Sequence, residues 1–213
     1  MTRKSLNNII HGLYCITSEE HSLGKSNVEA VKEMLSAGVK IIQYREKEKK
    51  NLAKYNECIT IRKLTKKSGA ILIVNDDAGL ALAVSADGVH IGQDDLPVEV
   101  VRSIVGKDMI IGISTHSPKQ ARDAVKRGAD YIGVGPIFPT KTKKDVCPAV
   151  GLEYLDYVAA NIKIPFVAIG GIKLQNINDV LLHGAKCVAM VTEIVGADNI
   201  TGKAREIMNL FKV

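Results

Sequence analysis

"SAGVKIIQ" at residues 36–43 joins the tail of an amphipathic stretch to a β-branched run through a single glycine. The same join recurs in "KSGAILIVN" (67–75), "SADGVHIG" (85–92), "KRGADYIGVG" (126–135) and "LHGAKCVAMV" (182–191). A helix that closes on a left-handed residue favours glycine there, because a Cβ opposes positive φ. Gly38, Gly69, Gly128 and Gly184 are therefore expected at helix C-termini, with Gly88 in a similar turn. The repeat is roughly 20–25 residues long, the size of one strand-plus-helix unit.

Three further apolar runs, "HGLYCIT" (11–17), "DMIIGIS" (108–114) and "IPFVAIGG" (164–171), bring the candidate strands to eight. Between them lie helical patterns such as "NVEAVKEMLSA", "NLAKYNECITIRKLTKK", "PVEVVRSIV", "PKQARDAVKR", "LEYLDYVAANI" and "LQNINDVLLH". Alternating units of this kind specify an α/β protein, a (β/α)8 TIM barrel, with residues 1–213 forming a single domain. An open doubly wound sheet is the alternative arrangement of the same units.

Composition narrows the function classes. The chain of 213 residues carries a net charge of +6, which suits an anionic partner, but only 4% of it is aromatic and it has no Trp. Its basic residues are spread along the sequence, so nucleic acid is not the expected partner and small phosphorylated ligands are. Cys15, Cys58, Cys147 and Cys187 form no C-x-x-C pair, which argues against zinc and redox motifs. The N-terminal apolar stretch is broken by His11 and Gly12, and no apolar run approaches the roughly 20 residues that span a bilayer. A cytoplasmic protein with no membrane partner is expected, and the pattern leaves a homo-oligomer open.

In a barrel the chemistry belongs where the βα loops leave the strands. That rule gathers Gln43, Arg45 and Lys47 after strand 2, Asn75 to Asp77 after strand 3, Asp94 and Asp95 after strand 4, and Ser114 on strand 5. "GPIFPTKTKK" follows strand 6, Gly170-Gly171 ends strand 7 and Val191-Thr192 ends strand 8. Strand alternation places Gln43, Arg45 and Lys47 on one side and Tyr44 and Glu46 on the other.

Taken in order, "QYREK", "VNDDAGLA", "HIGQDDLP", "GIS", "GPIFPTKTK", "GLE" and "AIGGI" resemble the thiamine phosphate synthase family, from about Leu13 to Thr192. The resemblance implies a transferase of pyrimidinylmethyl groups. It would join 4-amino-2-methyl-5-hydroxymethylpyrimidine diphosphate to 4-methyl-5-(2-phosphoethyl)thiazole, releasing pyrophosphate. It implies a Mg²⁺ ion on Asp76 and Asp95, and pyrimidine diphosphate on Gln43, Tyr44, Arg45, Glu46 and Lys47. Asn75 and Ser114 become substrate contacts, and the Thr140, Lys141, Thr142 stretch contacts the thiazole. Gly171, Val191 and Thr192 would hold the thiazole phosphate. The catalytic set it implies is Arg45, Lys47, Ser114 and Lys143. The family more often has Ser at the position of Thr192, which keeps the hydroxyl.

The electrostatics agree with a metal. A departing diphosphate gains about 4 kcal/mol from each opposite charge at about 4 Å in an intermediate dielectric, and two lysines alone leave it under-neutralised. Two carboxylates one βα unit apart suit a hard cation that also binds phosphate oxygens. Plainer roles compete: acidic N-caps for the aspartates, Asp77 above all, a surface ion-pair cluster for "REKEKK", and solvated charge for Lys144. Ser114 has no His/Asp relay beside it in sequence, and His90 reads as a satisfied histidine of core or rim. "GKS" at 24–26 has no P-loop glycine at Glu19, and "GVGPIF" lacks the third glycine of a dinucleotide fingerprint. A thiazole tautomerase is the alternative enzyme; it would need neither diphosphate nor metal residues.

Lys143 provides a test. If it supports charge gathering on the leaving group, Lys143→Ala lowers kcat by about two to three powers of ten, the scale for one preorganised charge-stabilising donor. Steady-state kinetics with an unchanged kcat would remove it from the catalytic set.

Overall fold

The computed structural model describes residue 6, residues 9–142 and residues 147–211. Among these, eight parallel strands close into a barrel in sequence order, with β8 pairing back to β1. The strands are β1 (Gly12–Ile16), β2 (Ile41–Tyr44), β3 (Ile71–Asn75), β4 (Gly88–Ile91), β5 (Ile110–Thr115), β6 (Tyr131–Val134), β7 (Phe166–Ile169) and β8 (Cys187–Met190). The closed order rules out the open sheet.

Each strand is buried on both faces, as a parallel sheet requires, so its residues divide between two cores. Tyr14, Ile41, Ile73, Ile110, Tyr131 and Val167 fill the barrel interior. Cys15, Ile42, Leu72, Val89, Ile111 and Ile132 face the surrounding helices. The helix α1 (Asn27–Ala37) shows how a unit is cut out of the sequence. Ser26 and Glu29 form a reciprocal capping box, Ala30, Val31 and Met34 bury one face, and Gly38 ends the helix at φ 100. Gly69, Gly128 and Gly184 also have positive φ, at 60, 87 and 89, as expected after their helices.

The helices α2 (Asn51–Ser68), α4 (Val98–Val105), α5 (Pro118–Lys126), α6 (Gly151–Asn161) and α7 (Ile177–Leu182) fall on the patterns read from sequence. Three others were not foreseen: α3 (Ala78–Ala83), α8 (Thr192–Val195) and α9 (Ile200–Asn209). The six-residue "AGLALA" of α3 is too short and too uniformly apolar to show a helical period. A repeated clamp ties helices to strand starts. Arg62 forks onto Asp87 at 2.6 and 3.0 Å while Asp87 accepts the Leu72 N–H. Two units later Arg102 and the Ile111 N–H share Asp130 in the same way.

Gly88 is a correction. It lies inside β4, and a Cβ there would meet Ile73 Cδ1 at 2.6 Å and the Ile110 carbonyl oxygen at 2.7 Å. The glycine is needed for interior space, not for a turn. Gly88→Ala therefore costs about 1–3 kcal/mol through overpacking against a backbone atom that has nowhere to go. A urea midpoint equal to that of the unaltered chain would refute this.

Candidate active site at the C-terminal rim

A cleft of about 640 Å³ opens at the strand C-termini, lined by Ser18, Glu19, Glu20, the segment 45–49, Asn75, Asp76 and Thr142. A larger cavity of about 1120 Å³ lies at the opposite end, against Ile10, Pro165 and Lys186, and contains none of the candidate residues.

The segment after β2 is divided by its alternation. Gln43 points into the barrel, 3% exposed, and donates from Nε2 to Tyr14 Oη at 2.8 Å. Arg45 reaches the cleft, and its Nε is buried with no hydrogen-bond partner among the described residues. A buried guanidinium donor left open in this way suits an acceptor that arrives from outside. Its backbone is fixed by Thr17, whose Oγ1 accepts the Arg45 N–H at 2.9 Å and donates to the Arg45 carbonyl at 3.1 Å. Lys47 meets the Asp76 carboxylate.

The Tyr44 side chain, expected among the substrate contacts, does not line the cleft. It is 2% exposed in the layer between barrel and helices, and its hydroxyl donates to Glu57 at 2.7 Å. Burial, reinforced by Glu57, pushes its phenol pKa up. Glu46 touches the cleft edge but accepts from Asn27 Nδ2 at 3.2 Å and the Glu48 N–H at 2.9 Å. Glu19, Glu46 and Glu57 form the one group of three clustered acidic ligands among the described residues. Lys49 already contacts all three, so an internal ammonium occupies their centre.

The carboxylates after β3 and β4 come together. Asp76 has a left-handed backbone, φ 62, fixed by its N–H on the His90 carbonyl at 2.8 Å. Asp95 accepts the Gly92 N–H at 2.6 Å. Burial, with the Asp76 carboxylate beside it, pushes the Asp95 carboxyl above its ordinary range. Asp77 takes the plainer role, capping α3 through the Leu80 N–H at 2.8 Å. Asn75 lines the cleft, and Ser114 lies on β5 with its hydroxyl 3.0 Å from His90 Nε2.

On the thiazole side of the expected site, Thr140 and Thr142 hydroxyls meet at 3.0 Å, and Lys141 is exposed. Lys143 lies outside the described residues. Gly171, at φ 63, backs onto the same loop, where a Cβ would stand 2.7 Å from the Phe138 and Pro139 carbonyl oxygens. Val191 and Thr192 sit on the neighbouring strand end, with Thr192 opening the one-turn α8. The Ser18–Glu20 wall was missed; "TSEE" after β1 was its only signal, and it carries no recognisable spacing, whereas Glu48 and Lys49 belong to the "REKEKK" run read as a surface ion-pair cluster.

The sequence profile described as thiamine monophosphate synthase matches residues 13–194. A thiamine-phosphate synthase of Pelotomaculum thermopropionicum is 60% identical over 96% of this chain and 94% of its own. That of Lawsonia intracellularis is 56% identical over 92% and 90%. The solved thiamine phosphate pyrophosphorylase from Pyrococcus furiosus superposes with a TM-score of 0.89 at 36% identity, covering 98% of both chains. The chain belongs to the thiamine monophosphate synthase family. For this family member, the resemblance read from "QYREK" to "AIGGI" is thereby established at the level of the family, over nearly the same residues.

Within the thiamine monophosphate synthase fold, the Asp76–Asp95 contact can be tested by its titration. The folded chain holds the Asp95 proton more tightly than the unfolded chain does. Its contribution to stability is therefore greatest below the ordinary carboxylate pKa and is lost as pH rises through the raised midpoint. Asp76→Asn removes the neighbouring charge, so the Asp95 midpoint falls in a carboxyl ¹³C NMR titration, though burial keeps part of the elevation. An unmoved midpoint would show that the two carboxylates do not interact.

Proposed function

We propose that this chain is a thiamine phosphate synthase acting on the pyrimidine diphosphate and the thiazole phosphate. The observation that carries the reading is Arg45, whose buried Nε stands open in a cleft where Lys47 and Asp76 meet. In the reaction, the bond between the pyrimidine methylene carbon and the diphosphate oxygen breaks, and its electron pair leaves with the diphosphate. The thiazole nitrogen lone pair then forms the new carbon–nitrogen bond. No side chain needs to carry a proton, so the work is positioning and charge stabilisation. Arg45 and Lys47 bind diphosphate oxygens, and Lys143 adds a third charge by family likeness. Asn75, Ser114 and Gln43 hold the pyrimidine. Thr140, Lys141, Thr142, Gly171, Val191 and Thr192 form the thiazole phosphate side.

Among the described residues, five carboxylates line the cleft, those of Glu19, Glu20, Glu46, Glu48 and Asp76, against the cations Arg45, Lys47 and Lys49. A diphosphate entering there meets more carboxylates than cations among these residues, which favours a bound cation. Asp76 and Asp95 present oxygen donors only, with the Lys47 ammonium at Asp76 showing that positive charge is accepted there. That donor set fits a hard divalent cation, and Mg²⁺ held there would supply charge neutralisation for the diphosphate. The remaining expectations go with this reading: small-molecule substrates, a single domain and a cytoplasmic place. No helix among the described residues is long and apolar enough to cross a membrane.

A tautomerase would isomerise the thiazole and leave Arg45, Lys47 and the aspartate pair without a task. Given both substrates and Mg²⁺, the protein should form pyrophosphate and thiamine phosphate in equal amounts, followed by coupled phosphate release and chromatography. Thiazole isomerisation without pyrophosphate would instead establish the tautomerase.

A further inference from the structure

One side chain closes the loop that follows β7. Asn176 accepts the Lys173 N–H through Oδ1 at 2.8 Å and donates from Nδ2 to the Gly171 carbonyl at 3.1 Å. Its own N–H bonds the Lys173 carbonyl at 3.1 Å, and the Gly170 carbonyl accepts the Phe138 N–H at 3.0 Å. A further tie runs to the next strand end, where Glu193 Oε1, beside Thr192 on α8, accepts the Leu174 N–H at 3.2 Å. Gly170 and Gly171 have positive φ, 99 and 63, and a Cβ on Gly170 would overlap Pro136 Cα. Only glycine lets the two loops close this far.

These bonds decide where the intervening amides point. A trans peptide is planar, with its carbonyl and the following N–H on opposite sides, so a bond that holds the oxygen also holds the hydrogen. Among the described residues the cis bond is the one before Pro136, so both peptides of Gly171 are trans. The Phe138 N–H therefore fixes the Gly171 N–H, and Asn176 fixes the Ile172 N–H. Neither of these N–H groups bonds a backbone acceptor among the described residues. Backbone donors need partners, and two adjacent ones held in place with none inside the loop suit the oxygens of an anion.

We infer that Asn176 is a positioning residue that holds the Gly171–Ile172 peptide so that both amides bind the phosphate of the thiazole substrate, and so sets the preference for the phosphorylated thiazole over its alcohol. The ligand rests on the proposed function; the aim of the amides rests on the hydrogen bonds. Asn176 acts through the Gly171 carbonyl. Without its Nδ2 donor that carbonyl is untethered, the peptide rotates, and the Ile172 N–H leaves the phosphate. The alcohol has no phosphate to lose, so its binding does not depend on this peptide.

The test uses the full-length protein, first without either substrate. Titration with ethyl phosphate, followed by ¹H–¹⁵N NMR, should move the Gly171 and Ile172 amide resonances of the unaltered chain. At saturation the Ile172 shift should be lost in Asn176→Ala. It should also be lost in Asn176→Asp, which keeps an oxygen for the Lys173 N–H and removes only the donor to Gly171, so the loop closure survives. Kinetics with Mg²⁺ and the pyrimidine diphosphate then compare thiazole phosphate with its alcohol. In Asn176→Ala the kcat/KM preference for the phosphate should fall about tenfold, the scale of one neutral hydrogen bond, while the KM for the pyrimidine diphosphate stays unchanged. Thermal unfolding checks that each variant folds, and general damage would lower both thiazoles alike. Unmoved Gly171 and Ile172 resonances in the unaltered chain, an Ile172 shift retained at saturation in the variants, or an unchanged preference overturns the inference. If ethyl phosphate moves both amides in a protein that forms no thiamine phosphate, the phosphate site stands and the proposed function falls.

Discussion

The contact between the Lys47 ammonium and the Asp76 carboxylate sets the terms for the whole rim. Lys47 is about half exposed, and an exposed ion pair is worth at most about 1 kcal/mol, so the contact is easily exchanged. Asp76 has no such freedom, since its left-handed backbone is locked by the hydrogen bond to His90 and the Asp95 carboxylate lies beside it. A fixed anion facing a movable cation is the arrangement that a diphosphate with a divalent ion can enter. The proposed function has Lys47 exchange carboxylate for phosphate, with charge balanced on both sides.

Mobility at Lys47 is useful only if the loop that carries it stays put. Here the other half of "QYREK" does its share. Tyr44 reaches outward to Glu57 on α2, Glu46 holds Asn27 on α1, and Lys49 joins Glu19, Glu46 and Glu57. Thr17 on the β1 side stitches the Arg45 backbone on both its N–H and its carbonyl. The segment is thus anchored to three elements through alternate side chains while the intervening ones face the cleft. Strand alternation alone made that division of the side chains readable.

The barrel was legible because each unit repeats one signal: a periodic helix, a glycine with positive φ and a β-branched run. Gly38, Gly69, Gly128 and Gly184 stand where that signal puts them. Gly88 does not, because a glycine that makes room inside a barrel looks the same in sequence as one that turns the chain. The rim was legible where acidic or basic residues follow strand ends, as at Arg45 and Asp76. It was illegible where sites are made by contact between neighbouring units distant in sequence: Glu19 against Lys49, or His90 against Ser114, 24 residues apart. The net charge of +6 is not concentrated at the cleft, whose described lining has more carboxylates than cations.

That mismatch bears on how an anion is recognised here. A basic chain draws phosphates to its surface through a long-range field, but the field weakens over a Debye length of about 8 Å in physiological salt. Within the cleft the local charges decide, and their excess of carboxylate repels a bare diphosphate. On the proposed function, the acidity of the lining favours a diphosphate accompanied by a metal. On that same proposal Arg45, whose buried Nε has no hydrogen-bond partner among the described residues, gives directed hydrogen bonds to an anion whose charge is compensated. The acidic wall and the open guanidinium would then be two halves of one filter: the first disfavours phosphate without its cation, and the second orients the complex that passes.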